Sequence, residues 1–328
     1  MNVLVTGGAG YIGSVIVETL LRQGHAVTVL DSLYKGHRAA VQSPAALVDA
    51  DLADANNVRQ LLSERGVEAV IHMAADSLVG ESMTNPAKYF RNNVVNSLVL
   101  AEAMVATGVK RLVFSSTAAV YGEPGKVPIT EDQATTPTNV YGETKLAFER
   151  ALAWFDRIHD LRWVALRYFN AAGATEAHGE DHDPESHLIP IVLQVPLGKR
   201  ERVQLYGTDY ATPDGTCVRD YIHVGDLADA HVLALDALAA DRVSSGAYNL
   251  GNGTGYSNRQ VIDSCRRVTG HPIPVAEAPR RPGDPAALVA SADRIRQDLG
   301  WAPRYPEIDQ IVESAWRWHQ RYPNGYAD

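Results

Sequence analysis

A glycine-rich turn near the start of the chain narrows the possible folds more than any other feature. Val3-Leu4-Val5 is a short apolar, β-branched run of the kind that forms a buried strand. It runs straight into Thr6-Gly7-Gly8-Ala9-Gly10-Tyr11-Ile12-Gly13, and then into an amphipathic stretch from Ser14 to Gln23. Gly7, Gly10 and Gly13 keep a Gly-x-x-Gly-x-x-Gly spacing, while Gly8, Gly10 and Gly13 satisfy the dinucleotide fingerprint literally. A strand that turns tightly into a helix without Cβ atoms lets a pyrophosphate approach the helix N-terminus. A glycine turn with no ligand would be spelled the same way, so the next strand decides. Ala26-Val27-Thr28-Val29-Leu30 ends at Asp31, close to the point, about 20 residues on, where an acidic side chain meets an adenosine ribose diol. A carboxylate there repels a 2′-phosphate and favours NAD over NADP, a preference weakened slightly by Lys35 and Arg38 downstream. The plainer reading of Asp31 is a strand-end turn residue.

The alternation then repeats. Leu47-Val48-Asp49-Ala50 leads to Asp51-Leu52 and a helical stretch to Arg65; Ala69-Val70-Ile71-His72-Met73 is the next strand, ending at Ala74-Ala75. Small residues there suit a backbone passing close to a cofactor and suit tight packing equally well. The pattern predicts a long helix from Pro86 to Thr107 carrying Asn92 and Asn93, then a strand Arg111-Leu112-Val113-Phe114 ending in Ser115-Ser116-Thr117. Strands alternating with helices imply a parallel sheet with ligands at the carboxyl ends of its strands. Asp31, Asp51, Ala74 and Thr117 would then share one edge. Asn139 to Lys145 opens the next helix, and Tyr141 and Lys145, four apart, face the same side of it. A tyrosine proton leaves only near pKa ~10, and an ammonium held close favours the phenolate. That pair arises by chance in many helices; its arrival at the same sheet edge makes it a candidate general base.

Composition bounds the rest. At 328 residues, 45% apolar and 21% charged, the chain can bury one large core or two modest ones, as a soluble globular protein does. A formal charge of −9, with no basic stripe to offset it, argues against a nucleic-acid partner. Cys217 and Cys265 are too few for a disulfide framework. No basic leader precedes the first strand, and no apolar run reaches membrane-spanning length. These readings predict a cytoplasmic protein with no membrane partner.

The assembled motifs resemble those of the extended short-chain dehydrogenase/reductase superfamily, in particular its nucleotide-sugar epimerases. The likeness rests on Thr6 to Gly13, on Phe114-Ser115-Ser116-Thr117-Ala118-Ala119-Val120-Tyr121-Gly122, on Tyr141 with Lys145, and on Arg167-Tyr168-Phe169-Asn170. It continues through Arg219-Asp220-Tyr221-Ile222-His223-Val224, Tyr248-Asn249-Leu250-Gly251 and Pro279-Arg280-Arg281-Pro282-Gly283-Asp284, down to Trp316-x-Trp318 and Pro323-x-Gly325-Tyr326. It implies a doubly wound parallel α/β sheet, an NAD-binding Rossmann domain over residues 1–173. A smaller mixed α/β domain for a UDP-sugar would cover 174–328, with a return to the large sheet around 219–251. It implies Thr117, Tyr141 and Lys145 as the reacting set, and a homodimer through paired outer helices. NAD would be held by Gly7, Gly10, Tyr11, Ile12, Gly13, Asp31, Asp51, Leu52, Met73, Ala74, Ala75, Asn92, Ser115, Tyr141, Lys145 and Tyr168. The substrate would meet Thr117, Tyr141, Asn170, His187, Leu188, Gln204, Tyr206, Arg219, Arg281, Asp284 and Leu288. Related dehydratases carry Asp-Glu after the threonine, to eliminate water; Ala118-Ala119 here can do neither job. What remains is oxidation and reduction at one carbon, which the resemblance implies to be transient oxidation at C4 of a UDP-hexose, interconverting UDP-galactose and UDP-glucose. The rivals are another nucleotide sugar (a UDP-N-acetylhexosamine, UDP-uronate or UDP-pentose) and a non-catalytic NAD-binding regulator. A regulator would have no reason to keep Thr117, Tyr141 and Lys145 together. Two positions depart from the pattern: His187 stands where epimerases often have asparagine, and Ser77 where some have lysine.

In the second half the period is lost. Thr175 to Ser186 is polar and reads as an exposed loop; its His178, Glu180, Asp181, His182 and Asp183 lack paired helical spacing, so no metal is expected. Leu188-Ile189-Pro190 starts a helix, Val203 to Gly207 reads as a strand, Leu227 to Ala239 as a helix, and Gly246 to Leu250 as a strand returning to the large sheet. Arg219 and Arg281 offer guanidinium forks that match diphosphate oxygens at any working pH.

Overall fold

The computed structural model describes residues 1–281 and 284–327. The first half runs β1 (Asn2–Thr6), α1 (Tyr11–Arg22), β2 (Ala26–Asp31), β3 (Ala46–Asp49), α2 (Ala55–Glu64), β4 (Ala69–His72), α3 (Val79–Thr84), α4 (Pro86–Phe90), α5 (Asn96–Thr107), β5 (Arg111–Thr117), α6 (Val140–His159), β6 (Arg162–Tyr168) and β7 (Asn170–Ala172). The second half adds α7 (Leu188–Leu193), β8 (Val203–Tyr206), β9 (Val218–His223), α8 (Val224–Ala239), β10 (Gly246–Leu250), β11 (Gly255–Ser257), α9 (Asn258–Thr269), β12 (Val275–Ala278), β13 (Ala287–Leu288), α10 (Asp293–Leu299) and α11 (Ile308–Arg321).

Seven strands form one parallel sheet in the order β10-β6-β5-β4-β1-β2-β3. Direction of winding reverses between β1 and β4, the switch point at which such sheets open a crevice above their strand ends. Both faces are covered, which is why the strands read as continuous apolar runs rather than alternating ones. On one face Val15, Ile16 and Leu20 of α1 pack with Leu227 and Leu235 of α8. On the other, Leu61 of α2, Leu100 and Met104 of α5, and Phe148 and Leu152 of α6 form a second core. Of the segment 219–251, Gly246–Leu250 joins the large sheet beside β6, whereas β9 lies in a small sheet with β7, β11 and β13. A third core buries Ile189, Val192, Val261, Cys265, Ile311 and Val312 between α7, α9 and α11.

Two expectations change. The stretch Pro86–Thr107 is not one regular helix, because a wide π-turn at Arg91–Val95 separates α4 from α5. The turn seats Asn93, which is buried and ties the loop after β4 to α6: its amide accepts from Asp76 N–H at 2.8 Å and donates to Asp76 O at 2.9 Å and Thr144 Oγ1 at 3.1 Å. Such bulges recur at functional sites. The Thr175–Ser186 segment has no regular structure, yet it is not simply exposed: His178 and Glu180 are buried. The His178 ring bridges Glu18 Oε2 at 2.8 Å and Ala40 O at 3.0 Å, pinning the segment across α1.

Candidate active site

β5 and β6 run side by side with Thr117 in register with Tyr168, so their last residues arrive together at the sheet edge. Asn139 caps α6 by accepting from Gly142 N–H at 2.8 Å, which fixes the first turn that carries Tyr141. Gly142 is there because a Cβ would come within 2.5 Å of Ala119 O, so α6 starts in contact with the turn after Thr117. Lys145 is 2% exposed; its Nζ donates to Ser115 O at 2.9 Å and lies 5.9 Å from the Tyr141 ring centroid. Ser115 Oγ and Tyr168 Oη are hydrogen-bonded to each other. Thr117 is 8% exposed and accepts from Ala119 N–H at 3.1 Å.

Burial pushes the Tyr141 hydroxyl up to about 12, against a hydrogen bond with Thr117 that favours ionisation. Burial likewise pulls Lys145 down to about 7, with the nearby Glu149 carboxylate acting the other way. The expected depression of the tyrosine by the ammonium is therefore not what this chain alone produces: desolvation drives both groups towards neutrality. Glu149 is a residue the sequence reading missed. It sits one turn beyond Lys145 on the same helix face, accepts two bonds from Arg167 and one from Ser116, and is 4% exposed. The i, i+4 spacing from Lys145 was the available signal.

The glycine turn makes a cradle. A Cβ on Gly13 would lie 2.1 Å from Gly7 O, and one on Gly7, whose φ is +69°, would lie 2.6 Å from Ala74 N. Gly10 is the N-cap of α1, has no side-chain cap and is followed by no acidic residue in the first turn. Tyr11 and Ile12 begin that helix, although the Tyr11 hydroxyl is committed to Gly173 O at 2.6 Å. Asp31 accepts from Ala9 N–H and Leu33 N–H, both at 2.9 Å, leaving each oxygen a further acceptor position. Asp51 and the buried Leu52 follow β3, and Met73, Ala74 and Ala75 follow β4, all at the carboxyl edge of the sheet. Asn92, on the π-turn, donates to Asp76 Oδ2 at 3.0 Å. An uncapped helix N-terminus, close-packed glycines and a ribose-ready carboxylate fit a dinucleotide.

The remaining residues fall into two groups. Asn170, His187 and Leu188 line one cavity together with Tyr11, Tyr221 and Glu180. His187 precedes α7, with Nδ1 2.9 Å from Glu185 Oε1 and 3.6 Å from Glu180 Oε2. Burial pulls its imidazole down, but those carboxylates outweigh it and push the group up to about 9. The second group lies on β8, β9 and β13, with Arg281 and Asp284 between β12 and β13. Arg219 is paired with Asp284 and stands opposite Leu288 in the β9–β13 register. Arg281 stacks over Tyr206 at 4.1 Å, and Tyr206 donates to Gln204 at 2.5 Å. Leu288 packs against the cluster of Val120, Tyr121, Ile129 and Leu146, to which the helix of Tyr141 contributes Leu146. Pro282 and Gly283 of the same motif lie outside the described residues.

Residues 3–251 match the model of the NAD dependent epimerase/dehydratase family. The chain belongs to that family. A UDP-glucose 4-epimerase of Halalkalibacterium halodurans is 54% identical, over 100% of this chain and 98% of that relative. A crystal structure of a UDP-glucose 4-epimerase superposes with a TM-score of 0.98 at 51% identity, covering 100% of both chains. The Bifidobacterium longum UDP-glucose 4-epimerase, solved with NAD+ and UDP, gives 0.93 at 40% identity over 99% of this chain and 100% of that one. The doubly wound parallel sheet expected from the sequence is thus the family's fold.

Proposed function

We propose that this protein interconverts UDP-galactose and UDP-glucose by transient oxidation at C4, using tightly held NAD. The observation that carries the reading is the convergence of Thr117, Tyr141 and Lys145 at the ends of β5 and α6, beside the glycine cradle. Tyr141 takes the 4-hydroxyl proton, Thr117 orients the 4-oxygen, and Lys145 supports the phenolate from its seat on Ser115 O. NAD would be held by the turn from Gly7 to Gly13, by Asp31 and by the residues after β3, β4 and β5, and would supply hydride acceptance and return together with a positive charge. Arg219 and Arg281 grip the diphosphate, with Asp284 and Tyr206 keeping the two guanidiniums in position until the anion arrives. Asn170, His187, Leu188 and Gln204 enclose the rest of the nucleotide sugar. Ala118 and Ala119 offer no further acid or base, so the keto sugar has only reduction open to it.

The division of labour is a cofactor domain over 1–173 and a sugar domain over 174–328, β10 excepted. Exposed Phe90, Val95, Trp154 and Ile158 lie on α4, the π-turn and α6, and support a homodimer that joins these helices from two copies. The free, buried thiols Cys217 and Cys265 suit a cytoplasmic home. Among the described residues, no helix is long and apolar enough to cross a membrane. The test is to incubate pure protein with UDP-galactose and no added cofactor, and to chromatograph the supernatant after denaturation. UDP-glucose should form and NAD should be released; turnover that needs a continuous cofactor supply overturns the reading.

A further inference from the structure

Glu180, His182 and His187 lie on the irregular segment that leads into α7, and one donor atom from each falls within 4.8 Å of the other two. Both imidazoles turn the same atom inward: His182 Nδ1 contacts Glu180 Oε1, and His187 Nδ1 is 3.6 Å from Glu180 Oε2. One carboxylate, 5% exposed, thus sits between two ring nitrogens whose ring centroids are 5.6 Å apart. Glu185 Oε1 lies 2.9 Å from His187 Nδ1 and is held by the backbone N–H groups of Ser186 and His187, both at 2.7 Å.

We propose that Glu180, His182 and His187, with Glu185 as fourth donor, bind one divalent transition-metal ion of the zinc class. Zinc takes four ligands at ~2.0–2.2 Å, which puts tetrahedral donors ~3.4 Å apart. The 3.6 Å and 2.9 Å separations lie on either side of that spacing, and one donor atom from each of Glu180, His182 and His187 lies within 4.8 Å of the other two. Two imidazoles select zinc, cobalt or nickel over calcium or magnesium, which prefer all-oxygen shells. The backbone bonds to Glu185 supply the outer support that such sites use to orient ligands. A cavity of about 260 Å³ lined by Glu180, His182 and Glu185 gives the ion a way in. The competing arrangement is a network of ion pairs with no metal, and it makes the same contacts. Glu180 and His187 also line the cavity of Asn170 and Leu188, so the ion would fix one wall of it. Any effect on turnover rests on the proposed function; the binding itself does not.

The experiment is equilibrium dialysis of the full chain against Zn²⁺, comparing wild type with His182→Gln and His182→Cys. Wild type should retain one equivalent per chain, and His182→Gln should bind at least ~10-fold more weakly, the loss already typical of an outer partner. His182→Cys restores a zinc ligand and should recover the affinity. In chelator-treated samples UDP-galactose turnover should be equal in wild type and His182→Gln, which separates failure of this site from failure of the epimerase reading. Equal zinc retention by wild type and His182→Gln overturns the proposal, whatever the turnover.

Discussion

Histidines in two parts of the molecule meet opposite fates. Under the parallel sheet, His72 is held between Thr6 and Ser97 and pulled down to about 3 by burial and the Lys145 charge. His231 of α8, beside Tyr168, is pulled down to about 4 by burial. In the segment before α7, burial pulls the same way on His182 and His187, but Glu180 and Glu185 overcome it and both rise. Tyr141 and Lys145 follow the sheet pattern. The sheet half delivers its functional groups by backbone register and lets desolvation set their charge. The segment before α7 and the loop that follows β12 hold theirs by ion pairs: His187 with Glu185, Arg219 with Asp284. Under the proposed function, the pair at the sheet edge changes protonation during chemistry while Arg219 stays charged to hold an anion.

The strongest way to sharpen that division is Tyr141→Phe. The ring stays in place, and Thr117 keeps its bond from Ala119 N–H, so the fold is undisturbed. If Tyr141 is the proposed general base, its loss should lower kcat by ~100- to 10,000-fold while NAD remains bound. Near-normal kcat would show that the proton leaves by another route. Arg219→Lys probes the other half. Lysine keeps the charge but loses the fork, and a hydrogen bond between charged groups is worth ~1.5–3 kcal/mol. UDP affinity by calorimetry should fall ~10- to 100-fold, with kcat changing far less. A variant that lost kcat and kept affinity would erase the distinction between the two halves.

The same division explains what could be read from the sequence. Gly7, Gly10, Gly13, Asp31, Thr117, Tyr141 and Lys145 announce themselves because strand period, turn chemistry and helical spacing fix where their side chains go. The π-turn at Arg91–Val95 was hidden, since Asn96–Thr107 is apolar on most sides and offers no stripe whose shift in phase would betray the extra residue. Burial of His178 and Glu180 was hidden for a different reason: polar composition reads as solvated loop, and only the tertiary partners Glu18 and Ala40 reveal otherwise. The direction of the Tyr141 shift also escaped, because spacing shows a neighbour's charge but not the depth of burial.

A smaller test addresses the neutral histidines. His231 is 0% exposed; its Nδ1 bonds Leu227 O at 2.8 Å, and its Nε2 has no hydrogen-bond partner among the described residues. The unfolded chain takes up a proton near pH 6.5, whereas the folded one waits until about 4. Unfolding is therefore favoured as pH falls through that window, and the contribution is fully present above it. His231→Gln should remove up to ~1.36 kcal/mol per pH unit of the slope between pH 6.5 and 4, measured by urea unfolding. Parallel profiles for the two proteins would mean that this imidazole charges as readily inside as outside.

The smallest expected effect lies where the two halves touch, at Leu288. Its backbone is fixed: β13 pairs with β9, and Val289 O accepts from Ile129 N–H at 2.8 Å. Its side chain rests half-buried against the cluster of Val120, Tyr121, Ile129 and Leu146, opposite Arg219, so a substitution there changes size without moving the frame. The resemblance puts Leu288 where some epimerases have a large tyrosine, a residue expected on size to exclude 2-acetamido sugars. Leucine is smaller and cannot hydrogen-bond to an amide, so UDP-N-acetylglucosamine should be turned over, but less well than UDP-galactose. Leu288→Tyr should lower the ratio of the two kcat/KM values by ~10-fold, the lower end of what pocket size alone discriminates. Leu288→Gly should raise it. Because both variants leave Tyr141 and Arg219 in place, kcat for UDP-galactose and affinity for UDP should hold nearly constant while the ratio moves. If the ratio is identical in all three proteins, position 288 belongs to the scaffold of β13 and the sugar ring lies elsewhere.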